Sequence, residues 1–306
     1  MGFVGGTGCL NVDIIYAGLS HLPREGEEVF AKEFGLYLGG GVPGSLVNTS
    51  RLGVPSKLLT YLGTGGDVFT GFARQALKDS GVDFVDLYNG DDIAVNVTSV
   101  MVHGAERTFL SYGAVECNLF NGYSDLEESV YQNLKGATIV DMHADFLSVY
   151  RRLKRDGSVL VFDTGWENDL CWEKYQEYLN LADYYLPNRK EALKITGTDT
   201  VEDAAERLGE CFENVIIKLD QDGCLLKNRD GITRIPPVPG VVAVDATGAG
   251  DAFMSGFLFG LYHHYPVGDC IRFGNIMGAE CVSHMGSVTG HLNEQEILAR
   301  FRQVYG

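Results

Sequence analysis

The residues with the clearest chemical potential in this chain lie in one turn near position 250. A largely β-branched run at 241–244 leads into the turn at 245–251, which has an acid at each end and small residues between them. Small residues let several backbone N–H groups point into one concavity, and the start of a helix adds partial positive charge there. Such a turn suits a phosphoryl group that gains charge during transfer. The carboxylate of Asp251 lies at its edge, where it could take a proton from an attacking hydroxyl.

The same turn also has a purely structural interpretation. A Gly-rich turn followed by Asp can serve as an ordinary helix start. The complete run Asp-Ala-Thr-Gly-Ala-Gly-Asp favours the chemical interpretation. Ala252, Gly256 and Gly260 follow at four-residue spacing, which predicts close packing of the next helix and a rigidly held turn.

A second pair of polar residues precedes another predicted helix. Asn188 and Glu191 stand three residues apart after a short apolar run. This spacing predicts a capping box, in which each side chain bonds the backbone N–H of the other residue. A capping box explains the pair without any chemistry, but it does not exclude a role for the carboxylate.

Composition limits the classes of function. The chain has 306 residues, 45% of them hydrophobic, and a net charge of −17. That charge repels nucleic acid, so we expect no nucleic-acid partner. No apolar stretch reaches transmembrane length, and no membrane partner is expected. Seven cysteines without a C-x-x-C pair predict free thiols and a cytoplasmic location.

The order of predicted elements indicates the fold class. Strands alternate with helices along most of the chain, which predicts a parallel sheet covered on both faces. Predicted strands at about 11–18, 28–38 and 95–111 break this rhythm and suggest a small antiparallel sheet that forms a lid. A helix is expected at 46–52. We therefore expect a single domain, 1–306, with the lid appended to it.

The turn at 245–251 resembles the C-terminal signature of the ribokinase-like, or PfkB, carbohydrate kinases. Weaker motifs in that family's order extend the resemblance from about Gly8 to Gly290. The resemblance implies a ribokinase-like three-layer α/β sandwich with a mostly parallel central sheet and a small β-sheet lid.

The resemblance also implies an activity. It is transfer of the γ-phosphoryl group of ATP to a hydroxymethyl hydroxyl of a free sugar, such as ribose or fructose, or of a related polyol. Asp251 would be the base, and the backbone at Gly248, Ala249 and Gly250 would stabilise the transferred group. Mg²⁺ would bridge the ATP phosphates, and Glu191 would organise it through water.

Several positions match the family's nucleotide site. Asp220 departs from the pattern, because relatives commonly have Gly there, and an acid beside ATP phosphates is unfavourable. We therefore expect Asp220 to face ribose or solvent. The resemblance places Asn275 near the adenine. The implied nucleotide-binding residues are Asn188, Lys218, Asp220, Gly223, Gly248, Gly250 and Asn275.

The segments around Asp13 and residues 39–41 resemble the family's sugar site. Asp13 can accept hydrogen bonds from vicinal hydroxyls, and glycines let a sugar approach the backbone closely. Relatives usually have Asn shortly after the glycine pair, where this chain has Gly44 or Ser45. Either Asn48, one helical turn later, substitutes for it, or the substrate differs from ribose. The implied substrate-binding residues are Asp13, Gly40, Gly41, Asn48 and Asp251.

Two further features have alternative interpretations. Asp245, Thr247 and Ser287 match positions where relatives often hold a monovalent cation, so K⁺ is a further expected cofactor; alternatively, Asp245 only caps the turn. Arg107 either contacts a substrate or phosphate or is an exposed strand residue.

The expected partners are a small sugar and ATP, with a homodimer through the lid by analogy. The alternative functions are a nucleoside kinase of the same fold and a non-catalytic relative that binds a sugar or a nucleotide. An intact Asp251 with its glycine-rich turn argues against the non-catalytic alternative.

Overall fold

The computed structural model describes residues 2–103, 106–113, 126–165 and 167–306. Within these ranges the chain forms thirteen strands and ten α-helices. The strands are β1 (Phe3–Thr7), β2 (Asn11–Ala17), β3 (Glu33–Gly39), β4 (Ser56–Thr60), β5 (Asp83–Asp86), β6 (Asn96–His103), β7 (Glu106–Tyr112), β8 (Ala137–Met142), β9 (Val159–Phe162), β10 (Tyr184–Tyr185), β11 (Val215–Lys218), β12 (Cys224–Asn228) and β13 (Gly231–Ile235). The helices are α1 (Gly41–Arg51), α2 (Val68–Ser80), α3 (Glu127–Leu134), α4 (Leu147–Arg155), α5 (Trp172–Leu179), α6 (Arg189–Thr196), α7 (Val201–Leu208), α8 (Ala249–Tyr262), α9 (Val267–Val282) and α10 (Glu294–Tyr305).

The centre of the molecule is a six-stranded sheet. Its order is β10-β9-β8-β1-β4-β5, and every neighbouring pair is parallel. A parallel bridge between Asn188 and Lys218 brings β11 alongside the end of β10. From there the antiparallel sheet β11-β12-β13 continues outward.

Two hydrophobic clusters lie on opposite faces of the central sheet. Consecutive strand residues belong to different clusters, as Leu58 and Leu59 do, because side chains alternate along a strand. One cluster contains residues of α1, α2, α8, α9 and α10, and the other contains residues of α3 to α7. Helices therefore cover both faces, and the predicted three-layer α/β sandwich is confirmed.

The lid sheet has the order β3-β2-β6-β7. Its outer pairs are antiparallel, but β2 and β6 are parallel. The expectation of an antiparallel lid is wrong at this pair, because the long connection between β2 and β6 lets the chain return in the same direction. The predicted strand at 28–38 also begins too early: β2 ends at Ala17, opposite Glu33, so earlier residues have no strand to pair with.

Helix α1 begins at Gly41, five residues before the predicted helix at 46–52. Gly40 precedes it with φ of 110°, a backbone conformation that favours glycine. Pro43 lies in the first turn, where its missing N–H costs no intrahelical bond. The glycine-rich segment at 39–41 therefore leads into the start of α1. Among the described residues, none of the helices has the length and apolar character needed to cross a membrane.

Candidate active site

A cavity of about 310 Å³ lies at the carboxyl ends of β8, β9, β10 and β11. Ligands commonly bind at this edge in open α/β sheets. The starts of α1, α6 and α8 border the same space. The residues that line it are Gly41, Val42, Ser45, Asp141, His143, Asp163, Thr164, Gly165, Asn188, Glu191, Lys218, Gly250, Asp251 and Met254.

The start of α8 forms one wall. Gly248 precedes the helix with φ of 74°, and a Cβ there would lie 2.2 Å from the Cβ of Ser287, so only glycine fits. The first N–H groups of a helix have no acceptor within it, and they carry partial positive charge. The predicted residues Gly248, Ala249, Gly250 and Asp251 are therefore consecutive at this helix start, where Gly250 and Asp251 line the cavity.

The start of α1 lies against Asp251. A Cβ at Gly44 would lie 3.5 Å from the Cβ of Asp251, and one at Gly41 would lie 3.8 Å from its Oδ1. Because Gly41 and Gly44 have no side chains, α1 leaves room beside the half-buried carboxyl group of Asp251. Two helix N-termini converge there, which favours a negatively charged ligand.

Four carboxyl groups and one ammonium group line the cavity. The Nζ of Lys218, whose side chain is 12% exposed, lies 2.8 Å from Oδ2 of Asp163. Burial opposes that charge, but Asp163 and Glu191 outweigh it, and the pKa of Lys218 is raised. The remaining acids are Asp141 and Asp251. Because the acids outnumber Lys218, a phosphate ligand needs further positive charge.

The pKa values of two of these acids are raised. Burial, followed by the charge of Asp163, raises the pKa of Asp251 well above its usual range, although Lys218 opposes the shift. Burial raises the pKa of Asp141 to about 7. Perturbed carboxyl groups that share a cleft are typical of functional sites.

The capping box at α6 is present. Glu191 N donates to Oδ1 of Asn188 at 3.0 Å, and Asn188 N donates to Oε2 of Glu191 at 2.8 Å. Glu191 is only 4% exposed, and burial and Asp163 raise its pKa. The described part of the chain contains no group of three or more His, Cys, Asp or Glu able to hold a metal alone. This donor set fits Mg²⁺, which usually keeps water ligands and binds through one or two carboxylates and substrate phosphates.

The turn after β11 explains the departure at Asp220. Asp220 is exposed with φ of 55°, a conformation that glycine adopts freely and Asp tolerates. Its acid therefore lies outside the cavity lining. Arg189 and Asp222 form an ion pair of 2.6 Å that fixes this turn to α6. A Cβ at Gly223 would lie 2.2 Å from the carbonyl oxygen of Ile235, so the turn also requires glycine there.

Asn275 lies apart from this cavity. Its amide nitrogen donates to the carbonyl oxygen of Pro236 at 3.1 Å, and its oxygen accepts from the Cys224 thiol at 3.2 Å. The side chain therefore connects α9 to β12 and to the segment after β13. The prediction that Asn275 lies near the adenine remains a prediction.

The predicted sugar-binding residues separate into two groups. Asp13 is 4% exposed, and a Cβ at Gly39 would lie 2.8 Å from its Oδ2, so the glycines at 39–41 run between Asp13 and Asp251. Burial and the charge of Asp245 raise the pKa of Asp13 to about 6. Asn48 does not reach the cavity: it lies one turn further along α1 and is completely buried. Its Nδ2 has no hydrogen-bond partner among the described residues, and the prediction that Asn48 binds the substrate stays a prediction.

The three residues predicted to hold K⁺ have other partners. Arg107 forms an ion pair of 2.7 Å with Asp245 and also donates to the hydroxyl of Thr247. The hydroxyl of Ser287 donates to the carbonyl oxygen of Leu38 at 2.9 Å. Each of these side chains therefore has a protein partner, and the expectation that they hold K⁺ stays a prediction.

Other cavity residues were not predicted from the sequence. Asp141 is the penultimate residue of β8 and accepts a hydrogen bond from Ser45 of α1. His143 follows β8 and also lines the cavity. These residues carry no motif, and only the sheet order β9-β8-β1 places them beside Asp251. An acid at a predicted strand end was the one available signal.

Comparison with known proteins gives one consistent result. The model of the pfkB family carbohydrate kinases matches residues 7–294. An uncharacterized sugar kinase from Archaeoglobus fulgidus is 34% identical over 150 residues, which are 48% of this chain and 58% of that protein. The 5-dehydro-2-deoxygluconokinase of Clostridium perfringens is 27% identical over 280 residues, which are 83% of this chain and 80% of that protein.

A solved structure shares the fold over the whole length. Arabidopsis thaliana ribokinase, complexed with ribose and ATP, matches with a TM-score of 0.81 at 21% identity, covering 99% of each chain. At 21% identity the structural match establishes only the fold. The family model matches nearly the entire sequence and establishes the family. The chain therefore belongs to the pfkB family of carbohydrate kinases.

Proposed function

We propose that this protein is an ATP-dependent sugar kinase that phosphorylates a hydroxymethyl hydroxyl of a free sugar or related polyol. Kinases of this family are phosphotransferases that use ATP with a divalent metal. The observation that carries the proposal is the half-buried carboxyl group of Asp251, which lies between two glycine-rich helix starts and borders the cavity.

Asp251 is the proposed base. In its ionised form it takes the proton of the sugar hydroxyl while that oxygen forms a bond to the γ-phosphorus. The bond from phosphorus to the bridging oxygen breaks, and the electron pair leaves with ADP. The pKa of Asp251 is raised by burial and by Asp163, which makes it a stronger proton acceptor than an ordinary carboxylate once it is ionised.

The N–H groups at Gly248, Ala249 and Gly250 are the proposed stabilisers of the transferred group. They belong to a rigid helix start, so they need little rearrangement as charge develops. A Cβ at Gly250 would lie 3.3 Å from Nζ of Lys218, which places this ammonium beside the same backbone. Bound Mg²⁺ supplies charge neutralisation for the phosphates. Glu191 and Asp163 are the residues that would orient it, through water.

The sugar occupies the space between Asp13 and Asp251 in this proposal. Asp13 accepts hydrogen bonds from two hydroxyls, while residues 39–41 let the ring approach the backbone. Gly44 or Ser45 occupies the place where the resemblance implies Asn. Either Asn48, one helical turn later, takes that role, or the substrate differs from ribose in the hydroxyl nearest α1.

A substrate panel tests the proposal. Pentoses, hexoses, their acids and polyols, and nucleosides are each mixed with ATP and Mg²⁺, and ADP release is measured in a coupled assay. The expected result is sugar-dependent ADP formation, with the product phosphorylated at a hydroxymethyl oxygen by NMR. Turnover of nucleosides alone would favour the nucleoside kinase. Binding of sugars and ATP, seen as thermal shifts without turnover, would favour the non-catalytic alternative.

We also infer a homodimer through the lid. Tyr16 and Asp13 lie three positions apart on β2, so they point to opposite faces, and the face away from Asp13 is apolar. Tyr16, Phe34, Leu110 and Tyr112 are exposed on it, with Leu110 at 71%. Sedimentation should give a dimer for the wild type and a monomer for Leu110→Lys; a wild-type monomer would refute the inference.

A cytoplasmic location is part of the same proposal. Five cysteines in the described ranges are free thiols, which suits a reducing compartment: Cys171, Cys211, Cys224, Cys270 and Cys281. ATP as the phosphoryl donor fits that compartment too.

A further inference from the structure

The carboxylate of Asp245 is surrounded by donors. Its Oδ1 accepts from Thr247 N at 2.8 Å, and its Oδ2 accepts from Gly286 N at 2.9 Å. The guanidinium of Arg107 lies 2.7 Å from the same Oδ1. Asp245 is only 7% exposed, and a buried carboxylate is stable only when its charge is compensated.

Arg107 comes from β7 of the lid, whereas Asp245 begins the turn that leads to α8. A second nitrogen of the guanidinium donates to the hydroxyl of Thr247 in that turn. The planar group therefore bridges two residues of the turn at once, as the fork of an arginine allows. This contact connects the lid directly to the backbone that precedes Gly248.

The neighbouring oxygen atoms are also engaged. The Cys281 thiol lies 3.3 Å from the carbonyl oxygen of Thr247 and 3.5 Å from that of Ser287. Burial raises the pKa of Cys281 to about 12, so the thiol keeps its proton and can donate. The carboxylate of Asp245, the hydroxyls of Thr247 and Ser287, and the neighbouring carbonyls of the latter two residues thus have protein partners.

We propose that Arg107 is a built-in cation that takes the place of a monovalent metal ion at the phosphate-binding turn. It is a positioning residue: it neutralises Asp245 and fixes the turn that leads to Gly250 and Asp251 at the cavity, and it does not contact the reacting atoms. Turnover of this protein is therefore independent of K⁺. The inference rests on the proposed function for its kinetic part only.

The first measurement uses the wild type. Melting temperature and turnover are recorded at constant ionic strength in tetramethylammonium, Na⁺, K⁺, Rb⁺ or NH₄⁺ chloride. Both are expected to be the same in all five salts. A wild type that K⁺ or NH₄⁺ strongly activates or stabilises, relative to tetramethylammonium, would overturn the proposal.

The second measurement uses Arg107→Met. Turnover in tetramethylammonium is expected to fall about tenfold or more, which is within the usual range of coupling between sites. K⁺ or Rb⁺ should restore much of it and raise the melting temperature, because an ion can then bind the uncompensated carboxylate. Arg107→Lys keeps a charge at this position and should show a smaller loss.

Two further variants separate this role from simple loss of an ion pair. Arg74 pairs with Asp86 at 3.0 Å, away from the cavity, and Arg74→Met should lose stability without gaining any response to cations. Adding Asp245→Asn to Arg107→Met should remove the response. An Arg107→Met protein that folds but shows no cation response in melting temperature would refute the proposal, even if no substrate were known. If that variant does not fold, the salt series on the wild type and on Arg107→Lys still tests the proposal, because strong activation or stabilisation of the wild type by K⁺ would overturn it.

Discussion

Two helices of this protein begin with the same motif but have different surroundings. Asn188 and Glu191 at α6 form a capping box with hydrogen bonds of 2.8 and 3.0 Å, and Asn293 and Glu296 at α10 form one with the same two distances. Glu191 is 4% exposed and lines the cavity, whereas Glu296 is exposed to solvent. The motif sets the local geometry, but the position of the helix at the carboxyl edge of the sheet gives Glu191 its chemical setting.

The same contrast holds for acids at the third residue of a helix. Asp251 of α8 borders the cavity, and Asp203 of α7 is exposed beside its cap Thr200. An acid in the first turn interacts favourably with either helix. Of the two, only Asp251 also lies in a cavity with other acids, and burial followed by the charge of Asp163 raises its pKa. The pairs therefore provide internal controls, in which the local effect is constant and the surroundings vary.

The largest expected effect is at Asp251. Asp251→Asn removes the proton acceptor with little change in shape, and turnover should fall by about 10²- to 10⁴-fold. Asp203→Asn should leave turnover unchanged. Steady-state kinetics on both variants, with ATP binding measured by calorimetry, make the comparison. If Asp251→Asn turned over at the wild-type rate while still binding ATP, Asp251 would not be the base.

The next effect is at the capping boxes. Glu191→Gln keeps the acceptor that the box needs but removes the charge, so the fold should be retained. Turnover should fall by about 10- to 100-fold, or a correspondingly higher Mg²⁺ concentration should be needed, as when a group that orients metal ligands is lost. Glu296→Gln is the matched control and should behave as the wild type in an Mg²⁺ titration. If the two variants gave the same Mg²⁺ dependence, the buried position of Glu191 at the cavity would have no role in Mg²⁺ binding.

The pH profile gives a further test of the difference between Asp251 and Asp203. Because Asp251 must be ionised to accept a proton, and because burial and Asp163 raise its pKa, kcat/KM should fall as pH drops through a pKa well above the usual 3.9. Below that pKa the loss should be about tenfold per pH unit. The acidic limb should remain in Asp13→Asn, which removes a second carboxyl whose pKa is raised to about 6, and in Asp203→Asn. A limb at the ordinary carboxyl pKa would contradict the assignment.

Local signals explain which parts of the site could be predicted. The turn at 245–251 and the capping box at Asn188 depend on hydrogen bonds between residues within a few positions of each other. Their residue types therefore report the geometry directly. The alternation of strands and helices likewise predicted the three-layer fold, since a covered parallel sheet requires it.

Non-local packing explains what was missed. Asp141 reaches the cavity because β8 lies beside β1 in the sheet, and Arg107 reaches Asp245 because the lid folds over the turn. No short-range pattern reports either contact. The burial of Asn48 has the same origin: α1 starts at Gly41, five residues before the predicted helix, and residue 48 lies in the core.

The smallest expected effect compares the caps themselves. Asn188→Ala and Asn293→Ala each remove one side-chain acceptor from a helix start, so each should lower the free energy of unfolding by about 1 kcal/mol. Denaturant titrations check this equality.

The activities of the two variants should differ, because only Asn188 holds Glu191 in place beside Lys218 and Asp163. Asn188→Ala should lose activity several-fold, on the order of 1 kcal/mol in transition-state stabilisation, while Asn293→Ala stays at the wild-type rate. Equal losses of activity would show that stability alone carries the effect, and the difference between the two helix starts would then have no functional meaning.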